Sequence, residues 1–206
     1  MKPSTASLAA EIASQPTAYI GEAAFAGNLA EGEAIRDLDF DACTFTGDLE
    51  GGRLVGCTFT ECEFVGANLS RVDLTDSRFI DCTFTGCKVL AVNFAVMGVG
   101  AVSATPVTFE RCQLDLATFQ GLDARGFVFR ECGLVEVDFS EADLRRASFV
   151  GSRLDGARLV RCDLREADFR EATGYAIDVR DCQVKGARFS AAEALSLLDP
   201  FRVRID

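Results

Sequence analysis

The sequence predicts an all-β solenoid, a chain coiled so that it turns a corner every five residues, and three observations lead there. From Leu49 to Phe189 every fifth position is a central hydrophobic residue or a small substitute for one. The position two before each centre is small or slim, as at Cys57, Cys62, Ala67, Ala142 and Ala167, and all nine cysteines fall on it. Sorted by a period of twenty, the centres group by kind: Phe109, Phe129, Phe149, Phe169 and Phe189 share one face, and Leu114, Leu134 and Leu154 the next. Neither a helix, with a period near 3.6, nor an ordinary strand, with a period of 2, repeats this way. A short fixed repeat is the mark of a solenoid. Four five-residue sides close a square coil of twenty residues, and successive coils then pair as parallel strands about 4.8 Å apart.

Along the chain, residues 1–18 are rich in Ala, Ser and Thr and lie outside the beat. They read as a frayed, flexible tail or a short helix. Residues 19–189 form the solenoid. Its early centres, Ile20, Phe25, Ile35, Phe40 and Phe45, run one residue out of frame with the later ones, so one residue is dropped at the Gly47-Asp48 corner. Between 95 and 106 the beat weakens: no large centre lies between Val99 and Phe109, and Pro106 cannot donate a ladder bond. A loop bulging from one face is the preferred reading, with an irregular coil as the alternative. Residues 190–206 form a terminal cap. Ser190 and Glu193 have the spacing of a capping box, opening a short helix that Asp199-Pro200 ends. Phe201, Val203 and Ile205 then alternate as a short strand. Leu195, Leu198, Phe201, Val203 and Ile205 exceed the apolar surface one cap needs, which suits a two-fold dimer interface.

Pentads such as Cys62-Glu63-Phe64-Val65-Gly66, Ala67-Asn68-Leu69-Ser70-Arg71 and Ala142-Asp143-Leu144-Arg145-Arg146 resemble those of pentapeptide-repeat proteins, over about nine-tenths of the chain. The resemblance implies a right-handed quadrilateral β-helix. About 35 pentads make eight or nine coils, a rod roughly 40 Å long.

Function is constrained first by exclusion. The chain contains no histidine, so it has no Ser-His or Cys-His pair, and no Gly-rich phosphate loop occurs. Carboxylate pairs are the default on outward polar positions. The expectation is a non-enzyme without cofactor. The cysteines, with no C-x-x-C pair and always in the inward slim position, read as buried hydrophobes rather than disulfide or metal ligands. Without a signal-like leader or a long apolar run, a soluble cytoplasmic protein is expected.

Charge supplies the positive clue. The chain carries a net charge of −11, and residues 1–94 hold 14 acids against 6 bases, whereas 95–189 hold 15 against 13. Such a chain does not bind nucleic acid through phosphates, which requires clustered Lys and Arg. Asp39, Asp41, Asp48, Glu61, Glu63, Asp73, Asp76 and Asp81 instead place charge at short intervals along a rod, much as phosphates do. They are the candidate contacts to a DNA-binding partner; the alternative is a solvated face that keeps an edge-rich fold soluble.

The C-terminal run from Gly174-Tyr175-Ala176-Ile177-Asp178-Val179 through Gly186-Ala187-Arg188-Phe189-Ser190 to Ala194-Leu195-Ser196-Leu197-Leu198 resembles one functional branch of the family. So do Cys87-Lys88-Val89-Leu90-Ala91-Val92-Asn93-Phe94 and Phe109-Glu110-Arg111-Cys112. That branch is the topoisomerase-protecting proteins of the Qnr, MfpA and, above all, AlbG type. The resemblance implies a DNA-shaped homodimer, joined through its C-terminus, that engages DNA gyrase and in some cases topoisomerase IV. Such a protein frees the enzyme from a poison such as albicidin or a quinolone. It makes Met97, Val99, Val102 and Thr105 candidate loop contacts. A pentapeptide-repeat scaffold or regulator with an unrelated partner is the alternative.

Overall fold

Most pentads of the computed structural model, which describes residues 7–13, 18–97 and 106–202, bury the central residue and the residue two before it. Phe59 with Cys57 and Phe64 with Cys62 are fully enclosed, while the residues between point out. At the fifth position the backbone turns the corner in the left-handed region: φ is 52° at Glu61, 61° at Gly66 and 55° at Asp81. For a non-glycine residue that conformation costs about 1–2 kcal/mol. The corner also keeps a ladder bond, as where Glu61 N–H donates to the Ile80 carbonyl at 2.8 Å.

The pairing is parallel throughout the named strands and closes a four-sided β-helix. Face 1 runs through Tyr19–Gly21, Asp39–Asp41, Thr58–Thr60 and Arg78–Ile80, and continues as bridges Asp123↔Asp143, Asp143↔Asp163 and Asp163↔Gln183. Face 2 carries the phenylalanine ladder: Phe45 pairs with Phe64, Phe64 with Phe84, Phe84 with Phe109 and Phe109 with Phe129. Face 3 follows Asp48, Asn68, Lys88 and Gln113; face 4 follows Arg53 to Asp73 and Asn93 through Thr118 to Asp138 and Arg158.

The stack on face 2 is longer than the five rungs expected. It begins at Phe25 and runs unbroken through Phe45, Phe64, Phe84, Phe109, Phe129, Phe149 and Phe169 to Phe189, with ring centroids 4.5–5.4 Å apart. Eight turns at about 4.8 Å make a rod of about 38 Å. Phe40, Phe59 and Phe79 stack on face 1, and Phe94, Phe119 and Phe139 on face 4, meeting the face 2 rings edge-on.

Register locates both irregularities. Thr44 pairs with Glu63, nineteen residues on, but Asp48 pairs with Asn68, twenty on, so the dropped residue lies at Gly47-Asp48 as the beat indicates. A Cβ on Gly47 would stand 2.0 Å from the Gly27 carbonyl oxygen, so glycine alone fits this shortened corner. Across the weak stretch Thr83 pairs with Thr108, twenty-five residues on, so this coil holds five residues more than its neighbours.

Of the two readings of the N-terminal segment, the short helix is the one found: Leu8–Ala13 docks on the first coil, with Leu8 fully buried and its N–H donating to the Asn28 carbonyl at 2.7 Å. An open solenoid end needs an apolar lid, and Leu8 with Ile12, one helical turn apart, supplies it. Two expectations need correction. In the last coil Ile177, not Val179, takes the face 4 position, bridging Leu159. Tyr175 occupies the usual slim position there and packs against Phe169 and Phe189. At the C-terminus a 3₁₀ helix spans Glu193–Phe201, so Pro200 and Phe201 lie within it rather than after it. The capping box does not form, because the Ser190 hydroxyl accepts the Glu171 N–H of the preceding coil at 2.8 Å. Val203 and Ile205 lie outside the described residues.

Candidate partner-binding surfaces

The outward residues of a pentad, those flanking the centre and the corner residue, build every external surface of the rod. Side chains in equivalent pentads therefore stand in columns about 4.8 Å apart. Of the eight acids singled out in the sequence, five gather on one side. Asp39 and Asp41 lie on face 1, Glu61 and Asp81 on its corner with face 2, and Asp76 on its corner with face 4. Glu22 and Asp37, also corner residues, join them, so seven carboxylates fall within four coils, and Arg78 is the single base on that stretch of face 1. Among the described residues none of the seven forms an ion pair. Asp41 alone of them is half-buried, and it accepts a hydrogen bond from Tyr19 Oη at 2.6 Å. That bond, together with the nearby carboxylates, raises the Tyr19 pKa.

The other three acids are elsewhere. Asp48 is on face 3 and Glu63 on face 2. Asp73, on face 4, is engaged: it accepts from Thr75 Oγ1 at 2.6 Å and from Arg53 Nε at 3.1 Å, which together hold its carboxyl below the usual range.

The C-terminal half of face 1 differs. Asp123, Asp143 and Asp163 form one column, and Arg125, Arg145 and Arg165, two residues on in each pentad, form the next. Each arginine forks onto the aspartate of its own pentad, Arg145 at 2.9 and 2.5 Å, and Arg125 and Arg145 also lean toward the aspartate of the following coil, at 3.8 and 3.6 Å. The same fork recurs at Asp168-Arg170 and Asp178-Arg180. The guanidinium bonds hold Asp163 and Asp168 low and bring Asp178 down to about 2. This half presents locked, neutral pairs, while the N-terminal half presents uncompensated charge. The D-x-R spacing was visible in the sequence but was not read as a pairing rule.

At the C-terminal end Leu195, Leu198 and Phe201 are exposed, at 51%, 38% and 50%, while Leu197 packs against the core. The Arg180 guanidinium sits 5.7 Å from the centre of the Phe201 ring. Of the candidate loop, Met97 is half-buried and ends a 3₁₀ turn, Phe94–Val96, capped by Asn93; Val99, Val102 and Thr105 lie outside the described residues.

All nine cysteines are buried free thiols. Each Sγ faces a main-chain carbonyl of the coil before it, as Cys132 faces Phe109 O at 3.4 Å. Burial pushes the Cys57 thiol up to about 11. Among the described residues no group of three or more Cys, Asp or Glu is placed to hold a metal ion, and no helix is long and apolar enough to cross a membrane.

Comparison with known proteins follows the repeat. Residues 48–89 match the pentapeptide repeats (8 copies) and residues 125–196 the pentapeptide repeat region, together more than half of the chain. No curated protein matches in sequence. Among solved structures, the chain is similar to HetL, a pentapeptide repeat protein involved in heterocyst differentiation regulation from the cyanobacterium Nostoc sp. strain PCC 7120. That match has a TM-score of 0.58 at 18% identity over 82% of each chain. A trypsin-treated form of QnrB1, a plasmid-mediated fluoroquinolone resistance protein, aligns with a TM-score of 0.45 at 20% identity over 91% of this chain and 97% of that one.

Proposed function

The chain belongs to the pentapeptide-repeat proteins, and from that premise we propose that it is a non-enzymatic DNA mimic that binds DNA gyrase, and topoisomerase IV as a second target, and relieves poisoning by a compound of the albicidin or quinolone type. The observation that carries this reading is the run of unpaired carboxylates on face 1. Seven charges over four coils, about 19 Å of axis, give one per ~2.7 Å, between the spacing along one DNA strand and that along the duplex. A surface built to hold duplex DNA would be drawn to it, with association steered by charge and weakened by salt. The C-terminal segments quoted above, with their likeness to the topoisomerase-protecting branch, give the partner its name.

In this reading the exposed Leu195, Leu198 and Phe201 seat a second copy. Two rods joined end to end span about 80 Å, comparable with some 23 base pairs. Face 1 of each copy then lies in the channel that otherwise holds DNA.

A second reading, a scaffold or regulator for an unrelated protein, is favoured by the C-terminal half, whose locked Asp–Arg forks offer no DNA-like charge. Gyrase supercoiling with increasing protein, with and without albicidin and a fluoroquinolone, separates the two. Rescue of poisoned gyrase supports the mimic; indifference of gyrase in every lane across a range of low salt rejects it in favour of the scaffold.

A further inference from the structure

Eighteen non-glycine residues in the described structure have a left-handed backbone; fifteen are Asp, Glu or Arg, two are Ala, and one is Leu116. The preference for charge has a simple cause. A corner side chain points off the rod into water, where a polar head keeps its hydration. Leu116 breaks that pattern in two ways. It is the third residue of the turn Leu114–Ala117, closed by Ala117 N–H donating to Leu114 O at 3.0 Å, and its φ of 64° suits glycine or asparagine. Its side chain is also 59% exposed, the highest value among the exposed large hydrophobic residues described.

Beyond the ladder bond its N–H makes to the Val135 carbonyl at 2.9 Å, folding gains little from this residue. The backbone carries the left-handed cost, and the side chain buries little. Its surroundings keep the same character: Ala91 stands beside it one coil earlier, left-handed and exposed, and Leu90 and Val135 are half-buried on the adjoining edge of face 3. A patch that departs from the repeat and adds little stability is placed to meet something outside the molecule.

We propose that Leu116 is an anchor that enters an apolar pocket of the same basic protein surface addressed by face 1. This rests on the topoisomerase reading above. Charge chooses that occupant. Asp115 adjoins Leu116, Glu136 follows it on the same corner, and Asp76 stands on the far corner of face 4, where the acidic stretch begins. A partner laid across face 4 therefore meets an apolar knob at one edge and carboxylates at the other, and its pocket is rimmed by bases. The two contacts have different physics: the carboxylates fade with salt, whereas burial of Leu116 does not.

The test compares full-length wild type, Leu116→Gly, Leu116→Met and the pair Asp39→Asn with Asp41→Asn for binding to gyrase holoenzyme at low and high salt, alongside thermal unfolding. Leu116→Gly should raise the melting temperature, because glycine takes this φ without strain, yet weaken binding about tenfold or more at both salts. Leu116→Met should keep most of the affinity, and the aspartate pair should flatten the salt dependence. If wild type binds gyrase and Leu116→Gly binds equally well, the anchor is refuted while the topoisomerase reading stands. If wild type fails to bind, both fall. A change in the sedimentation mass of Leu116→Gly would put Leu116 in a self-contact and overturn the assignment to a partner.

Discussion

Phe129 and Phe149 lie one coil apart with ring centroids 5.2 Å from each other and planes 11° from parallel, and Phe139, from face 4, meets Phe149 edge-on at 85°. Every ring in the middle of the rod is therefore gripped by stacked partners above and below and by edges from the side. Truncating one leaves a cavity that a hydrogen-bonded ladder cannot close. Phe129→Ala should cost about 3–5 kcal/mol in urea unfolding. Phe189→Ala, at the last rung and only half-buried, should cost clearly less; equal costs would mean that the stack does not act as a ladder.

The cysteines should behave as structural residues. Ser152 occupies the column of Cys132, accepts its N–H at 2.9 Å and donates to Phe129 O at 2.9 Å, in the way Cys132 Sγ approaches Phe109 O. Serine thus already performs the cysteine role at a neighbouring rung. Cys132→Ser and Cys62→Ala should cost far less than Phe129→Ala. Ellman's reagent should find no reactive thiol in the native protein and nine in denaturant. Rapid native labelling, or loss of activity on removing the cysteines, would contradict this.

Much of the fold was legible because a period of five leaves one inward pattern and one stacking arrangement. The frame change at Gly47 could be placed by counting alone. What counting could not supply was the identity of the face on which an outward residue lands. Asp73 and Asp76 are three residues apart in sequence, yet one is clamped by Arg53 and Thr75 and the other stands free at a corner. The C-terminal cap differs from its local reading for a related reason. Ser190 has the spacing of a helix cap, but its hydroxyl serves the Glu171 N–H of the preceding coil, a partner nineteen residues away that no local rule contains. Leu116 is not legible in the sequence, because a leucine in a chain whose pentad centres are often leucine stands out only once its φ is known.

That distinction changes which acids to neutralise. Asp81→Asn and Glu61→Gln, on the corner beside face 1, should leave the unfolding midpoint within about 0.5 kcal/mol of wild type, as surface substitutions do. They should also weaken gyrase association in a salt-dependent manner. Asp73→Ala removes the partner of Arg53 and the acceptor of Thr75 and should lower stability without a comparable effect on binding. The reverse assignment, with Asp73 critical for binding and Asp81 for folding, would dissolve the face 1 reading.

Acid should act through the forks. Asp163, Asp168 and Asp178 titrate lower in the fold than in the unfolded chain, where aspartate ionises near 3.9. A depressed folded pKa contributes stability that is fully present above the unfolded value and is lost as pH falls through the folded one. The melting temperature should therefore fall between about pH 5 and about pH 2. Arg165→Gln and Arg180→Gln should lower it at neutral pH and shrink the drop. A fall of equal size in those variants would show that the forks contribute nothing to the acid response.

The coil between Thr83 and Thr108 offers the sharpest test of the register. Its paired residues are twenty-five apart where neighbouring rungs are twenty apart, so five residues are surplus to the ladder. Val96 cannot be among them, because its carbonyl accepts the Asp76 N–H at 3.1 Å. Deleting residues 99–103 restores a twenty-residue coil and should leave the unfolding free energy within about 1 kcal/mol of wild type, since shortening a loop by a few residues changes closure entropy little. Deleting three residues instead leaves a length that is not a multiple of the pentad, and the chain should lose more stability than with five gone. If the five-residue deletion keeps the fold but abolishes the proposed protection of gyrase, the insertion is a contact; if that protection survives, the insertion is not one.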